Sequence, residues 1–406
     1  MIAISLQLQQ YKNEMQDELQ QILQYWQRYT VDETFGGFVG EVDAQNIIHP
    51  SAPKGAVLNA RILWSFAAAF NSTNNPSYLQ LADRAFHYLS AYFFDKEHGG
   101  FFWSVDYTGK PLDTKKQVYA ISFVMYALAE YYRAKPNEFV KQQAINLYRL
   151  IVQYAYDKIN GGFIEALTIN WQPIRDFRLS DKDANTPKSM NTMLHVLEAF
   201  TNLYRIWADE DLCNHIKKLL NIFDTHIINK KTCHLHLFFD NDWTVKGNDI
   251  SFGHDIEAAW LLQEAAEVIG DEKLISRVSA NSLLLVAASE KGLDTDGGLW
   301  YEASAGYKHW VYEKHWWPQA EAMIGFFNAY QFTGNEKYLQ QSLSCWQFVK
   351  NKLKDTAGEW HWGIRNSGAL MNKDKAGFWK CPYHNSRACL ELIKRIDYLL
   401  QINKSN

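Results

Sequence analysis

Hydrophobic residues recur with a helical period in twelve segments of this chain, and polar breaks separate the segments. In each successive pair the first segment is amphipathic, as at 76–93, whereas the second is apolar on nearly every side, as at 60–70 and 255–266. A helix that is apolar all round is buried all round, so each pair should supply one outer and one inner helix. The predicted helices span 5–28, 55–72, 77–93, 115–134, 138–156, 188–207, 210–227, 253–269, 273–290, 315–333, 337–353 and 383–401.

A short glycine motif recurs between the two helices of a pair. It reads DETFGGFVGEVD at 32–43, and the first glycines of its copies are Gly36, Gly99, Gly161, Gly297 and Gly358. Three spacings are 63, 62 and 61 residues, and the 136-residue gap holds a degenerate copy at 231–243, which makes six units. Asp, Asn and Gly followed by alternating aromatic or β-branched residues indicate a turn that leads into a short hairpin. Because GGFVG leads into strand-like sequence and not into a helix, a dinucleotide-binding loop is excluded.

Twelve helices in six pairs predict an all-α fold, an (α/α)6 barrel that occupies 1–406 as one domain. An open solenoid is the alternative, but it should carry polar capping repeats, and the last pair is as aromatic as the others. The long, hairpin-bearing loops all run from an outer to an inner helix. They should therefore surround one mouth of the barrel, where the N-termini of the inner helices offer free N–H groups and partial positive charge.

Composition narrows the function classes. The 406 residues contain 41 Lys and Arg against 45 Asp and Glu, a net charge of −4, so the basic excess of a nucleic-acid-binding protein is missing. The 15 Trp, 22 Tyr and 23 Phe suggest a cavity lined with rings. Five cysteines, an odd number with no C-x-x-C pair, favour a reduced compartment. With no signal-peptide pattern and no long apolar run, we expect a cytoplasmic protein with no membrane partner.

Polar residues that look out of place in the inner helices cluster in their first turns, at the predicted mouth. A lone histidine at a helix start is more often a cap than a catalyst, but three on alternate inner helices facing one cavity indicate chemistry. For Arg61, a functional role and a buried ion pair are equally compatible with the sequence. The cluster comprises Asn59, Arg61, Tyr119, Asn191, His195, His254, Glu257, His315, Trp316, Trp317, Glu321, His384 and Asn385.

His254 and Glu257 share a helix face at spacing i, i+3. A carboxylate there can raise the basicity of the histidine and fix its tautomer. The same pair could ligate a metal, but the sequence has no H-E-x-x-H and only the weak pair His234 and His236, so we expect none. No G-x-S-x-G elbow appears, which argues against a serine hydrolase.

The motifs resemble the N-acylglucosamine 2-epimerase superfamily nearly end to end. They are GGFVGEVD, GAVLNARILW, KSMNTMLHVLEA, SFGHDIEAAWLL, KHWWPQAEA and FWKCPYHNSRA, in the family's order and spacing. HDIEA and YHNSRA look most similar to the branch that acts on cellobiose. The resemblance implies reversible inversion at C2 of the reducing-end glucose of a β-1,4-linked disaccharide, with no metal or nucleotide cofactor. We expect a monomer whose partner is the disaccharide substrate, and neither nucleic acid nor a membrane.

The resemblance also implies roles for individual residues. His254 and His384 would exchange the C2 proton on opposite faces of the sugar, with Glu257 tuning His254, while His195 would assist ring opening. Charge on the C1 or C2 oxygen would be stabilised by Arg61, with Tyr119 and Asn191 nearby. Contacts to the sugar would come from stacking on Trp317 and Trp379 and from hydroxyl binding by Asp183 and Glu302.

Three alternatives remain open at the level of sequence. Relatives that interconvert aldoses and ketoses, or that epimerise N-acylglucosamine, share the fold. An inverting glycoside hydrolase on the same barrel needs two carboxylates, which Asp183 with Glu302 or Glu321 could supply. A sugar-binding module without catalysis has no reason to place three histidines at the mouth.

Overall fold

The computed structural model describes residues 2–405, and within that range the chain forms twelve α-helices. All twelve predicted helices are confirmed, with ends that shift by a few residues. They are α1 Ile2–Tyr29, α2 Ala56–Thr73, α3 Pro76–Tyr88, α4 Val118–Ala134, α5 Glu138–Tyr154, α6 Met190–Tyr204, α7 Glu210–Ile222, α8 Phe252–Ile269, α9 Glu272–Ser289, α10 Trp316–Thr333, α11 Glu336–Lys352 and α12 Tyr383–Ser405. Two of the outer helices, α3 and α7, continue into π-helical turns at Leu89–Phe93 and Phe223–Ile227.

The even-numbered helices form a closed ring. Each of α2, α4, α6, α8, α10 and α12 packs on the next, and α12 packs on α2. The odd-numbered helices lie outside, each against an inner one, and α1 packs on α12. The first three turns of the inner helices are almost entirely buried, whereas the outer helices bury one face. The predicted (α/α)6 barrel is therefore confirmed. Among the described residues, no helix has both the length and the apolar character needed to cross a membrane.

The loops that leave the inner helices are short because the next helix begins almost at once. Asn75, Asn137, Asp209, Asp271 and Asn335 each accept a hydrogen bond from a backbone N–H in the first turn of an outer helix. Such caps satisfy groups that have no partner within the helix. Consequently the chain reverses in a few residues at one end of the barrel, and the long loops all lie at the other end.

At that other end lie thirteen short strands within the described chain. The strand that precedes each of α2, α4, α6, α8 and α10 pairs with a strand of the following unit, so most of the sheets connect neighbouring units. Three hairpins within single units extend these sheets, pairing Ser104 with Asp113, Phe238 with Lys246 and Glu302 with Val311. The strands are β1 Lys54–Gly55, β2 Ser104–Val105, β3 Pro111–Asp113, β4 Lys116–Gln117, β5 Ala166–Leu167, β6 Lys188–Ser189, β7 Phe238–Phe239, β8 Val245–Lys246, β9 Asp249–Ser251, β10 Glu302–Ser304, β11 Trp310–Val311, β12 Glu313–His315 and β13 Gly363–Arg365.

In four of the six units a buried lysine pairs with an aspartate and ties the glycine motif to the strand before an inner helix. One oxygen of the aspartate accepts backbone N–H groups of the turn, as Asp95 does from Glu97 and His98, while the other accepts the lysine. The fourth unit has neither partner, since Asn229 and Ile250 occupy the equivalent positions. The pairs are Lys54–Asp32 at 2.7 Å, Lys116–Asp95 at 2.6 Å, Lys188–Asp157 at 2.7 Å and Lys314–Asp294 at 2.6 Å.

Candidate active site

Two of the three singled-out histidines flank the ring of Trp317 at the mouth. The ring centroid of His254, from α8, lies 4.7 Å from that of Trp317, and the centroid of His384, from α12, lies 5.7 Å from it. Gly253 makes this packing possible because a Cβ atom there would lie 2.6 Å from the Trp317 ring. The first turns of three inner helices thus bring two imidazoles and one indole together.

His254 is held by a hydroxyl group. Its Nδ1 lies 2.7 Å from Oγ of Ser251, at the end of β9, so Nε2 is not used by this contact. Burial, with His195 adding to it, lowers the pKa of His254 to about 3. The expected pairing of His254 with Glu257 is wrong: a shared helix face put both residues at the same depth, but a cation from another helix binds the Glu257 carboxylate.

His384 is held by a carboxylate. Its Nδ1 lies 2.7 Å from Oε1 of Glu321, whose second oxygen accepts the indole N–H of Trp260 at 3.0 Å. Burial, together with the positive charges of Arg61 and Arg387, lowers the pKa of His384 well below its ordinary value. Both mouth histidines are therefore neutral near pH 7 and able to accept a proton.

Arg387 is the cation at the centre of the site, and sequence reasoning missed it. Its Nη2 donates at 2.7 Å to both Glu257 and Glu321, and its Nη1 donates to Glu198 and lies against the hydroxyl of Tyr383. Burial raises the pKa of Glu257 to about 8, and repulsion from the charge of Glu321 contributes to this shift. Arg387 lies three residues after His384 in YHNSRA, so the i, i+3 rule applied to His254 could have found it.

The third histidine, His195 of α6, has a carboxylate partner on its own helix. Its Nδ1 lies 2.8 Å from Oε2 of Glu198, again at spacing i, i+3. The ring packs edge-on against Tyr119 at 5.1 Å, and the tilted ring of Phe123 lies 4.8 Å from it. Burial lowers the pKa of His195 even though Glu198 opposes that change. Glu198 was also missed, although HVLEA carries the same spacing as HDIEA.

Arg61 has no carboxylate partner among the described residues. Its Nη2 donates to the hydroxyl of Tyr119 at 2.7 Å, and its guanidinium lies 4.1 Å from the ring centre of Phe123 and 4.7 Å from that of Tyr383. Its Nε is buried and unpaired. The alternative of a buried ion pair is therefore wrong, and aromatic rings stabilise this cation instead.

The residues expected to grip the sugar lie around the mouth and are partly exposed. The ring of Trp379 lies 5.8 Å from that of Trp103 and 6.2 Å from that of Tyr119. Glu302, in β10, pairs across the sheet with Ser251, and burial raises its pKa to about 7. Burial also raises the pKa of Asp183, which accepts the amide and hydroxyl of Ser180.

Asn191 lies in the first turn of α6, directly after its first residue, Met190. Its side-chain oxygen is buried and has no hydrogen-bond partner within the structure.

Four other first-turn residues have partners outside this cluster. His315 lies 2.8 Å from Glu313 and stacks on Tyr301, and Trp316 packs edge-on against Trp362. The other two serve the fold: Asn59 donates to the Gly55 carbonyl and Asn385 to Glu359.

The residues considered as metal ligands fall into two groups. His234 is held by Asp255 at 2.6 Å and by Tyr307 at 2.7 Å, so it packs the fourth unit. Ligand atoms of Glu257, Glu321 and His384 lie within 4.8 Å of one another. Nη2 of Arg387 lies 2.7 Å from an oxygen of each glutamate, so a guanidinium already binds both carboxyl groups.

Known proteins with closely similar sequences are sugar epimerases. The chain is 47% identical over 385 residues to a cellobiose 2-epimerase of Bacteroides fragilis, covering 94% of this chain and 98% of that one. It is 36% identical over 396 residues to a cellobiose 2-epimerase of Dictyoglomus turgidum, covering 96% and 100%. A solved cellobiose 2-epimerase from Bacillus thermoamylovorans superposes with a TM-score of 0.91 at 38% identity, covering 95% and 100%. The fold and these relatives define a sugar epimerase, an enzyme of the isomerase class.

The family follows from a match to most of the chain. The model of the family described as N-acylglucosamine 2-epimerase (GlcNAc 2-epimerase) matches residues 36–388. The chain belongs to this family, as the motifs predicted. The matched range includes His195, both mouth histidines and Arg387.

Proposed function

We propose that the protein reversibly inverts C2 of the reducing-end glucose of a β-1,4-linked disaccharide such as cellobiose or lactose. The observation that carries the proposal is the pair of neutral imidazoles, His254 and His384, that both pack against the ring of Trp317. The relatives named for cellobiose epimerisation cover nearly the whole chain and support the disaccharide substrate.

The chemistry requires two groups that exchange protons. The C2 proton of an aldose becomes acidic only when the ring is open and C1 is an aldehyde. Its removal gives a cis-enediolate, and return of a proton to the opposite face inverts the centre. One imidazole accepts the proton while the other, in its protonated form, donates one, and the roles exchange in the reverse reaction. The contact of His384 with Glu321 supports its imidazolium form.

The guanidinium of Arg61 is suited to stabilise the negative charge that develops on the substrate. As C2 loses its proton, negative charge moves onto the C1 oxygen. Arg61 is fixed by Tyr119 and by aromatic rings, and its buried Nε has no protein partner. A preorganised donor of this kind stabilises an oxyanion without reorganising during the reaction. We therefore assign Arg61 and Tyr119 to the enediolate oxygens, with Asn191 beside them.

Ring opening and sugar binding use the remaining residues. His195, oriented by Glu198, would move the proton between the ring oxygen and the anomeric hydroxyl. Trp317 and Trp379 would stack on the two sugar rings. At the mouth, Asp183 and Glu302 would bind hydroxyl groups. In this scheme Glu257 accepts a hydrogen bond from Arg387 and does not tune His254.

The test is incubation of the purified protein with cellobiose, lactose, mannose and N-acetylglucosamine, each followed by NMR with and without exhaustive chelation. We expect mannose-type reducing ends from the two disaccharides at rates that chelation does not change. Conversion of N-acetylglucosamine alone would assign the protein to the other branch of its family. Activity lost on chelation and restored by a divalent ion would contradict the cofactor-free mechanism.

A further inference from the structure

Arg387 contacts the two carboxylates that orient two different histidines. Its Nη1 binds Glu198, which holds Nδ1 of His195, and its Nη2 binds Glu321, which holds Nδ1 of His384. The histidines lie on α6 and α12, so one guanidinium links the carboxylate that holds His195 to the carboxylate that holds His384.

A carboxylate fixes a neutral imidazole only while it is ionised. An ionised carboxylate can only accept, so Nδ1 must carry the proton and Nε2 is left with a free lone pair. If the carboxylate takes up a proton it can donate to Nδ1 instead, and the proton of the ring then moves to Nε2. In that tautomer Nε2 can no longer accept a proton from a substrate.

Glu198, buried beside two other carboxyl groups, does not stay ionised unaided. Burial raises the pKa of Glu198, and Arg387 together with His195 more than offsets that effect, so the pKa lies below its ordinary value. Glu257, Glu198 and Glu321 are all buried, and Arg387 is the cation they share. Glu257, with a pKa of about 8, is already protonated at neutral pH beside Arg387. Removal of the arginine should in addition raise the pKa of Glu198, so that it too takes up a proton.

We propose that Arg387 is a positioning residue that holds His195 and His384 together in the Nδ1–H tautomer, with both Nε2 atoms free for proton transfer. The inference rests on the proposed function for the meaning of those lone pairs, but not for the tautomers themselves. Ring opening and C2 proton exchange would then depend on one shared cation.

The charged and titratable groups around this cation come from all six inner helices. They are Arg61 of α2, Tyr119 and Tyr126 of α4, His195 and Glu198 of α6, His254 and Glu257 of α8, Glu321 of α10, and Tyr383 and His384 of α12. Only Glu198, Glu257, Glu321 and Tyr383 contact the guanidinium directly.

The test replaces Arg387 and observes the imidazole nitrogens. In ¹⁵N-histidine-labelled wild-type protein, His195 and His384, assigned from single His→Asn variants, should show protonated Nδ1 and unprotonated Nε2. In Arg387→Met we expect at least one of the two to change to the Nε2–H tautomer. Since a general base in the wrong tautomer loses on the order of 10²–10⁴ in rate, kcat should fall by that factor with KM little changed.

Two further variants serve as controls. Arg395→Met removes a second arginine of α12 whose guanidinium also lies near Trp260, but which binds Asn328 and Gln331 and none of the three carboxylates. It should leave tautomers and kcat at wild-type values. Arg387→Lys keeps the charge but cannot bridge three carboxylates, so it should fold, lose part of kcat and move the acid limb of kcat/KM to higher pH.

Wild-type tautomers and pH profile in a folded Arg387→Met would overturn the proposal. If that variant does not fold, a wild-type pH profile and kcat in Arg387→Lys would overturn it. The tautomers are read without turnover, so a wild-type protein that lacks disaccharide epimerase activity would refute the proposed function alone.

Discussion

The two mouth histidines have different supports, a hydroxyl for His254 and a carboxylate for His384. If they face opposite sides of C2, replacing either with Asn should reduce net epimerisation by at least about 10²–10⁴-fold, the usual scale for one acid/base group. Each variant should still exchange the C2 proton of the one epimer whose C–H bond points at the remaining histidine. Deuterium incorporation from D₂O, measured separately from the glucose-type and mannose-type disaccharide, checks this asymmetry.

Glu257→Gln is the matched control for these variants because Glu257 contacts Arg387 and neither mouth imidazole within hydrogen-bond distance. It should affect turnover less than either histidine variant. Near-normal epimerisation by one histidine variant would replace the two-base mechanism with a single base and a rotating enediol.

The lowered pKa values make a second prediction. Burial lowers the pKa of His254 to about 3 and that of His384 well below the ordinary value near 6.5. A base with a lowered pKa keeps its lone pair on acidification, and the protonated partner becomes more populated. The value of kcat/KM for folded enzyme should therefore hold or rise between pH 8 and 5.5. A fall with an apparent pKa near 6.5 would show that the histidines titrate as exposed ones do.

Trp379 and Trp316 separate binding from packing. Trp379 is partly exposed beside Trp103, whereas Trp316 is buried against Trp362. Trp379→Ala should raise KM for the disaccharide by roughly 5–30-fold, the equivalent of about 1–2 kcal/mol of stacking, with little change in Tm. Trp316→Ala should instead lower Tm, because a buried Trp→Ala change costs about 3–5 kcal/mol. An unchanged KM with a large fall in Tm would assign Trp379 to the core.

At the residue scale, the sequence predicted which side chains lie close together more successfully than it predicted which of them form hydrogen bonds with each other. Helical spacing placed His195, His254 and His384 at one mouth, because residues in the first turns of ring helices share a depth. It could not decide the partner of Glu257. Spacing along one helix gives no information about the side chains of the neighbouring helices. In the structure, Arg387 of α12 donates a hydrogen bond to Glu257, which is therefore not the partner of His254.

At the scale of elements, the Lys–Asp pairs connect the glycine turns of four units to the next inner helix. Asp95→Asn keeps the turn hydrogen bonds but leaves Lys116 buried beside a neutral amide. Breaking a buried pair from one side should lower the free energy of unfolding by about 3–5 kcal/mol. Denaturant unfolding of the variant and wild type measures the difference.

The fourth unit shows how both charges of such a pair can be replaced together. Its Asn229 and Ile250 occupy the two positions and leave no charge unpaired. The double variant Asp95→Asn with Lys116→Ile copies that arrangement and should recover most of the lost stability. A double variant as unstable as the single one would show that the pair acts through shape and not through charge.

The helices were predictable because the apolar pattern of a helix lies within one short segment of the sequence. The sheets were not predictable. The glycine motifs indicated turns, and bridges such as Phe94 to Phe101 do flank them. The longer pairings, however, join Lys116 to Leu167 and Lys188 to Phe239 across units. Two- and three-residue strands carry too little alternation to reveal a partner some fifty residues away, so residues before α4 and α6 were assigned to helices.

At the scale of the whole molecule, closure of the ring creates the site. The contact of α12 with α2 brings Cys381 and Tyr383 against Arg61, although about 320 residues separate them. The repeat predicted six units and one common mouth, which was enough to predict closure. The charge balance inside the ring, one arginine shared among three glutamates, depends on all the inner helices at once, and no single motif contains it.

The most direct test of the account is the fate of cellobiose in D₂O, followed by NMR with wild-type protein. Two-base epimerisation predicts an intact disaccharide that accumulates a mannose-type reducing end with deuterium at C2. Release of free glucose would instead indicate a hydrolase on this barrel. An epimer formed without deuterium at C2, or a disaccharide left unchanged and unlabelled, would contradict proton exchange through His254 and His384.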